Sequence, residues 1–193
     1  MGFYSFDGNV PRLHPDAFIH PEAVLIGRVI VERGCFVGAG AILRGDIGIV
    51  HLEQESNIQE GCVVHTFPNK MTRICERAHV GHSAIVHGAQ IGKNSLIGIS
   101  CVVLDDSVIG QDVILGAMSL VPKNSNLESG YLYFGNPAKR IRKLTNLELD
   151  NKRAGTNLYV GFAANNGQFK CDPQICADPK EHDFSETSRI FWE

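Results

Sequence analysis

No stretch of this chain approaches the roughly 18 consecutive apolar residues that mark a membrane-spanning helix. No charged-then-apolar leader opens it either, so neither export nor membrane insertion is expected. Excess positive charge is missing too. The formal net charge of -3 argues against a general nucleic-acid binder. Met1-Gly2 invites myristoylation, but Phe6 stands where that pattern has serine or threonine. A disulfide framework is not evident. Of the 6 cysteines, Cys35, Cys62 and Cys101 recur at small-residue positions of a repeat, the habit of reduced structural thiols. Cys171 and Cys176 lack the second ligand pair of a zinc knuckle. What remains is the expectation of a reduced, cytoplasmic protein. Its 193 residues, 44% of them hydrophobic, suffice for one sizeable core.

What the chain does have is an aliphatic residue at every sixth position. From Ile19 the register runs through Leu25, Val31, Val37, Leu43 and Ile49. It slips once and resumes at Ile58 and Val64, then slips across 66–73 and resumes at Ile74, Val80 and Val86. One short step leads to Ile91, Ile97, Val103, Ile109, Leu115 and Val121. The residue two before each is usually small or β-branched, as at Ala23, Cys35, Ala41, Cys62, Ala78 and Ala84. Such a period suits neither a helix nor a long strand. It suits very short strands separated by turns, three to a triangular coil of about 18 residues, with coils stacked as parallel strands about 4.8 Å apart. Repeats of this kind resemble the left-handed parallel β-helix; the handedness comes from that resemblance, since general connection rules favour the opposite hand. The expected architecture is mainly β. A left-handed parallel β-helix fills residues 1–135, a C-terminal α-helix packs on it over 136–165, and a tail of unassigned structure covers 166–193. Pro137 suits the first helical turn, and Ile141, Leu144, Leu147 and Leu158 are expected to line the buried face.

The repeat also fixes where side chains point. Let the side beginning at Ile19 be the first face, with Leu25 and Val31 opening the second and third. Val64 and Val86 then fall on the second face, one coil apart. His65 and His87 follow them by one, so both point outward, one above the other. Their outward column reads Ile26, Arg44, His65, His87, Leu104. Tetrahedral zinc needs ring nitrogens on the order of 3.3 Å apart, within reach of strands spaced about 4.8 Å. His82 follows Val80 by two, near a corner of the first face and out of the column. A neighbouring subunit in a three-fold trimer would supply it, giving three shared sites. His14, His20, His51, His79 and His182 read as surface residues.

Arg44-Gly45-Asp46, Asn57-Ile58-Gln59, His65 and Gly81-His82-Ser83-Ala84-Ile85-Val86-His87-Gly88 stand in an order that resembles the γ-class carbonic anhydrase family. The resemblance covers roughly residues 10–145. It implies a homotrimer with zinc (Zn2+, or Fe2+ or Co2+) at each interface, held by His65 and His87 of one chain and His82 of the next. It implies a metal-hydroxide enzyme for the reversible hydration of carbon dioxide, with Gln59 and Asn57 beside the bound water. Arg44 and Asp46 are expected to pair across the interface, Arg44 also being available to a bicarbonate-like anion. The archetypal enzyme carries a glutamate just after its Arg-x-Asp motif and another on an acidic loop. Here those places hold Ile47 and Thr66-Phe67-Pro68-Asn69-Lys70. Glu60 is the nearest carboxylate, so proton export and turnover are expected to be slow.

A closer resemblance lies in the phenylacetate-degradation and carnitine-operon branch of this family, through Gly155-Thr156-Asn157-Leu158-Tyr159 and a longer tail. It makes Tyr159 a further site candidate. That branch implies an alternative activity, acyl-CoA thioester hydrolysis, in which Lys139-Arg140-Ile141-Arg142-Lys143 could meet CoA phosphates or simply form a solvated helix face. A zinc-retaining scaffold or regulatory subunit is the non-enzymatic alternative. Acyl transfer is disfavoured because no long protruding loop is evident.

Overall fold

A computed structural model describes residues 2–165. Short parallel strands stack on three faces. The first face runs Phe18–Ile19, Phe36–Val37, Asn57–Ile58, His79–Val80, Leu96–Ile97, Ile114–Leu115 and Tyr131–Phe134. The second passes through Val24–Val31 and Ile42–Leu52 to Val63–His65, Ile85–His87, Val102–Val103 and Leu120–Val121. The third takes the far halves of those two longer strands and continues through Met71–Ile74, Gln90–Ile91, Val108–Ile109 and Asn126–Leu127. The register is what the six-residue period demands: Leu43 pairs with Val64, Val64 with Val86, and Val86 with Val103.

One large aliphatic per strand fills the prism. Leu25, Val37, Leu43, Val64, Val86, Val103, Ile109 and Val121 are all fully buried. Each such side chain contributes roughly 1.5–3 kcal/mol, so the repeat accounts for most of the core. The small residues two positions earlier, Ala23, Cys35, Ala41, Cys62, Ala78, Ala84 and Cys101, are buried as well. Burial raises the thiols of Cys35 and Cys62 to about 11, which leaves them protonated and unreactive.

Turning the chain by about a third of a circle at each corner calls for a left-handed residue. One corner uses Gly40, Gly61, Ser83, Ser100 and Met118, with φ between 55° and 69°. Non-glycine residues there bear a modest strain, repeated coil after coil because the stacking dictates it. Gly45 answers a different need: a Cβ there would stand 2.3 Å from the Arg28 carbonyl oxygen.

Ile49 is only half-buried, and Val50 and Leu52 face inward instead, opposite Val29 and Val31. Gly27 pairs with Gly45 but Val29 pairs with Val50, so three residues are inserted at that corner and the phase slips before residue 49. The C-terminal helix also starts later than expected. Lys139–Lys143 is an antiparallel strand on Tyr131–Phe134, and helix α1 spans Asn146–Ala164. Thr145 caps it, its hydroxyl accepting from the Glu148 N–H while the Glu148 carboxylate accepts from the Thr145 N–H. That reciprocal box fixes the start more strongly than Pro137 does. The basic run therefore lies on a strand, not a helix face. Arg142 forks onto Glu148 and Arg140 pairs with Glu128, a charged edge of the kind that resists strand addition.

The buried side of α1 is not the expected one. Ile141, Leu147 and Leu158 are exposed and Leu144 is half-buried. Instead Lys152, Thr156, Tyr159, Phe162 and Ala163 pack on Phe18, Phe36 and His79 of the first face. His79 is consequently buried, not a surface residue. Cys171, Cys176, His182 and the tail 166–193 lie outside the described residues.

Candidate metal centre

The strands Val63–His65 and Ile85–His87 pair in register, which sets His65 directly opposite His87 on the second face. Their ring centroids are 4.9 Å apart, and His65 Nδ1 lies 2.9 Å from His87 Nε2. Each ring is fixed from its other side. His65 Nε2 donates to Asp46 Oδ1 at 3.0 Å, and His87 Nδ1 bonds to Asp105 Oδ1. Carboxylates only accept. Each imidazole therefore spends its N–H on an aspartate and turns a lone pair toward the other ring. Two lone pairs at that distance are relieved by a shared proton or by a cation, and the spacing is close to what tetrahedral zinc asks of two ring nitrogens, on the order of 3.3 Å. The donor set thus fits a borderline-soft divalent ion, with the carboxylate–imidazole arrangement that orients metal-bound histidines.

Arg44 and Asp46 complete this half. Within one chain they pair at 2.8 Å. Arg44 Nη2 also reaches His65 Nδ1 at 3.3 Å. Burial raises the Asp46 carboxyl, but hydrogen bonds from His65, Arg44 and the Ile47 N–H outweigh it and hold the group below the usual carboxylate range. Burial pulls the His65 imidazole down, more than the Asp46 hydrogen bond raises it, so the ring stays neutral and able to ligate. Asp105 escaped the sequence reading. The signal was its place one residue past Leu104, which stacks on His87 in the next coil, so its side chain reaches back from the turn.

The remaining candidates gather elsewhere. His82 sits in the turn after His79–Val80, its Nδ1 2.6 Å from Glu60 on the coil below. Both are about half exposed. Gln59 Nε2 donates to Asn57 Oδ1 at 3.1 Å, and both are buried. Asn57 lies under α1 on the first face, next to His79. Tyr159 stacks edge-on against Phe36 and His79, and burial pushes its hydroxyl up to about 12. It anchors the helix. The candidates therefore fall into two groups: Arg44, Asp46, His65, His87 and Asp105 on the second face, and Asn57, Gln59, Glu60 and His82 around the turn after His79–Val80. Among the described residues of one chain, no three His, Cys, Asp or Glu side chains converge as a metal site.

A stack of hexapeptide coils closed by one helix, with its polar chemistry on an outer face, defines a hexapeptide-repeat protein of the left-handed β-helix class. The family pattern described as bacterial transferase hexapeptide (six repeats) matches residues 88–123. The carnitine operon protein CaiE of Salmonella agona (strain SL483) is 44% identical over 163 residues, 84% of this chain and 82% of its own length. The Escherichia coli (strain K12) protein of the same name is 43% identical over 159 residues, 82% of this chain and 81% of its own. A solved hexapeptide transferase family protein from Anaplasma phagocytophilum superposes with a TM-score of 0.81 at 30% identity, over 85% of this chain and 97% of that one. The chain belongs to the CaiE family of hexapeptide-repeat proteins.

Proposed function

We propose that the protein is a homotrimeric metal-dependent enzyme of the γ-class carbonic anhydrase type, catalysing the reversible hydration of carbon dioxide at a modest rate. The observation that carries this reading is the His65–His87 pair, two lone pairs 2.9 Å apart with each tautomer set by its own aspartate. Apolar surface supports the trimer. Ile42, Val63 and Ile85 form an exposed outward row beside the histidine column, and Ile99 and Met118 stand exposed near the His82 corner. Such patches want cover. A ring of three heterologous contacts would lay one chain's corner on the next chain's second face, adding His82 to His65 and His87.

A divalent ion held there supplies Lewis acidity and lowers the pKa of a bound water toward about 7. The chain's own groups then have separate tasks. Asp46 and Asp105 hold the two imidazoles aimed and fix which nitrogen of each is free. Arg44, beside His65, offers a guanidinium to an anionic product. Gln59 of the partnering corner orients water, with Asn57 fixing its amide. Proton export is the weak step: the loop at 66–70 holds no carboxylate, and Glu60 is engaged by His82. A second reading, acyl-CoA thioester hydrolysis at the same centre, is favoured by exposed Ile47 and Phe67 standing where the archetype has carboxylates.

Zinc-reconstituted protein, assayed for carbon dioxide hydration with and without concentrated imidazole buffer and against a panel of acyl-CoA esters, separates these readings. Hydration accelerated by the buffer supports the first. Thioester cleavage without hydration supports the second. A full-length protein that takes up no divalent ion would remove both.

A further inference from the structure

One corner departs from the repeat. Between the second and third faces, residues 66–70 replace the tight turn with a short loop. It is fastened at several points. The Asn69 N–H donates to the Ile47 carbonyl and the Ile49 N–H to the Lys70 carbonyl, both at 2.9 Å. Lys70 Nζ pairs with Asp106 at 2.5 Å, and the Thr72 hydroxyl donates to the His65 carbonyl at 2.5 Å. The loop lies so close to Ile42–Leu52 that a Cβ on Gly48 would meet the Lys70 and Phe67 carbonyl oxygens at 2.5 and 2.6 Å. A segment held this way is a wall and not a flap.

That wall presents one side chain to the histidine pair. The Phe67 ring stands edge-on to His87, centroids 5.0 Å apart and planes at 88°, while Phe67 remains 47% exposed. Ile47 beside it is also exposed. Lys70, the loop's one charged residue, is engaged by Asp106. The adjacent aspartates divide the work: Asp105 holds His87 and Asp106 holds the loop. Ring and wall are therefore fixed to the same turn.

We propose that Phe67 is the specificity-determining wall of the two-histidine centre, selecting ligands that carry an apolar group next to the carboxylate or carbonyl that reaches the imidazoles. The proposal rests on the metal-centre reading. A small polar ligand gains nothing from the ring. A ligand with an alkyl or aryl substituent removes its own apolar surface and part of the ring from water at once.

The test uses the cobalt-loaded full-length protein titrated with acetate and with hexanoate, the visible spectrum reporting binding. Hexanoate is expected to bind about tenfold more tightly than acetate, the size of one good aromatic contact. Phe67→Ala should bring the ratio near one, and Phe67→Leu should keep part of it. A preference that survives Phe67→Ala overturns the proposal. So does its absence in the unsubstituted protein. A metal-free measurement runs in parallel: carbethoxylation of His87, followed by mass spectrometry against exposed His14. Phe67→Ala should speed labelling of His87 severalfold relative to His14, and an unchanged ratio overturns the wall. If the unsubstituted protein takes up no cobalt, the metal reading fails on its own account while the labelling still decides whether Phe67 shields His87.

Discussion

His65 and His87 meet nitrogen to nitrogen at 2.9 Å, each ring held from behind by its own aspartate. The stacking of two coils produces the meeting, and the aspartates decide which nitrogen of each ring is free. Removing the support should therefore matter more to metal affinity than to folding. Asp105→Ala is expected to weaken zinc binding by roughly 10–100-fold, with the melting temperature of the metal-free protein little changed. Competition against a chromophoric chelator measures it. Unaltered affinity would mean that His87 does not depend on Asp105 for its tautomer.

The interface beneath α1 hides two basic groups whose charged forms are penalised. Burial, reinforced by the charges of Lys152 and Arg77, pushes His79 down to about 3. An unfolded chain takes up the proton near 6.5, so the unfolded state binds more protons between those values and stability falls as pH drops through them. His79→Phe removes that linkage. Urea midpoints at pH 6.5 and pH 4 should move closer together in His79→Phe than in the unsubstituted protein, and an equal acid loss in both would assign the effect to other groups.

Lys152 answers in a different window. Burial first, then the Arg77 charge, lowers its ammonium to about 7 from 10.5. Its Nζ donates to the Arg77 carbonyl and to the Thr156 hydroxyl. Stability should rise with pH between about 7 and 10.5, where the unfolded chain stays protonated and the folded one does not. Lys152→Met should raise the urea midpoint at pH 7 and flatten that rise. The stabilisation expected is on the order of 1–2 kcal/mol, since two hydrogen bonds go with the charge. A lower midpoint would show that those bonds outweigh the cost of burying the amine.

The histidine column was legible because one large aliphatic per strand leaves no freedom in which way the next residue points. Once Val64 and Val86 are placed inside, His65 and His87 must be neighbours outside. Corners carry no such constraint. The three-residue insertion around Asp46 moved the register past Ile49 without changing its aliphatic character. Asp105 looked like one of two turn-forming aspartates, and only its place directly after Leu104, the residue stacked on His87, tells otherwise. His79 occupies an outward position, which means surface only while nothing covers the face; α1 covers it. The start of that helix was written in Thr145 and Glu148, three residues apart, but Pro137 offers an equally recognisable and misleading first turn.

The proposed trimer makes a prediction that no self-contained site would make. In that proposal the second face supplies His65 and His87, and the corner of the next chain supplies His82. A chain with His87→Ala keeps a sound corner, and a chain with His82→Ala keeps a sound second face. Either variant alone should assemble trimers with little tightly bound zinc, because every interface lacks one imidazole. Co-refolded in equal amounts, the two chains meet at random. An intact interface needs the His82→Ala chain on one side and the His87→Ala chain on the other, half times half, so about a quarter of the unsubstituted zinc content should return. Mass spectrometry of the assembled trimers checks the mixing, and zinc per chain checks the recovery. Full mixing with no recovered zinc would show that His82 of one chain does not complete the pair on another, and the shared centre would have to be abandoned.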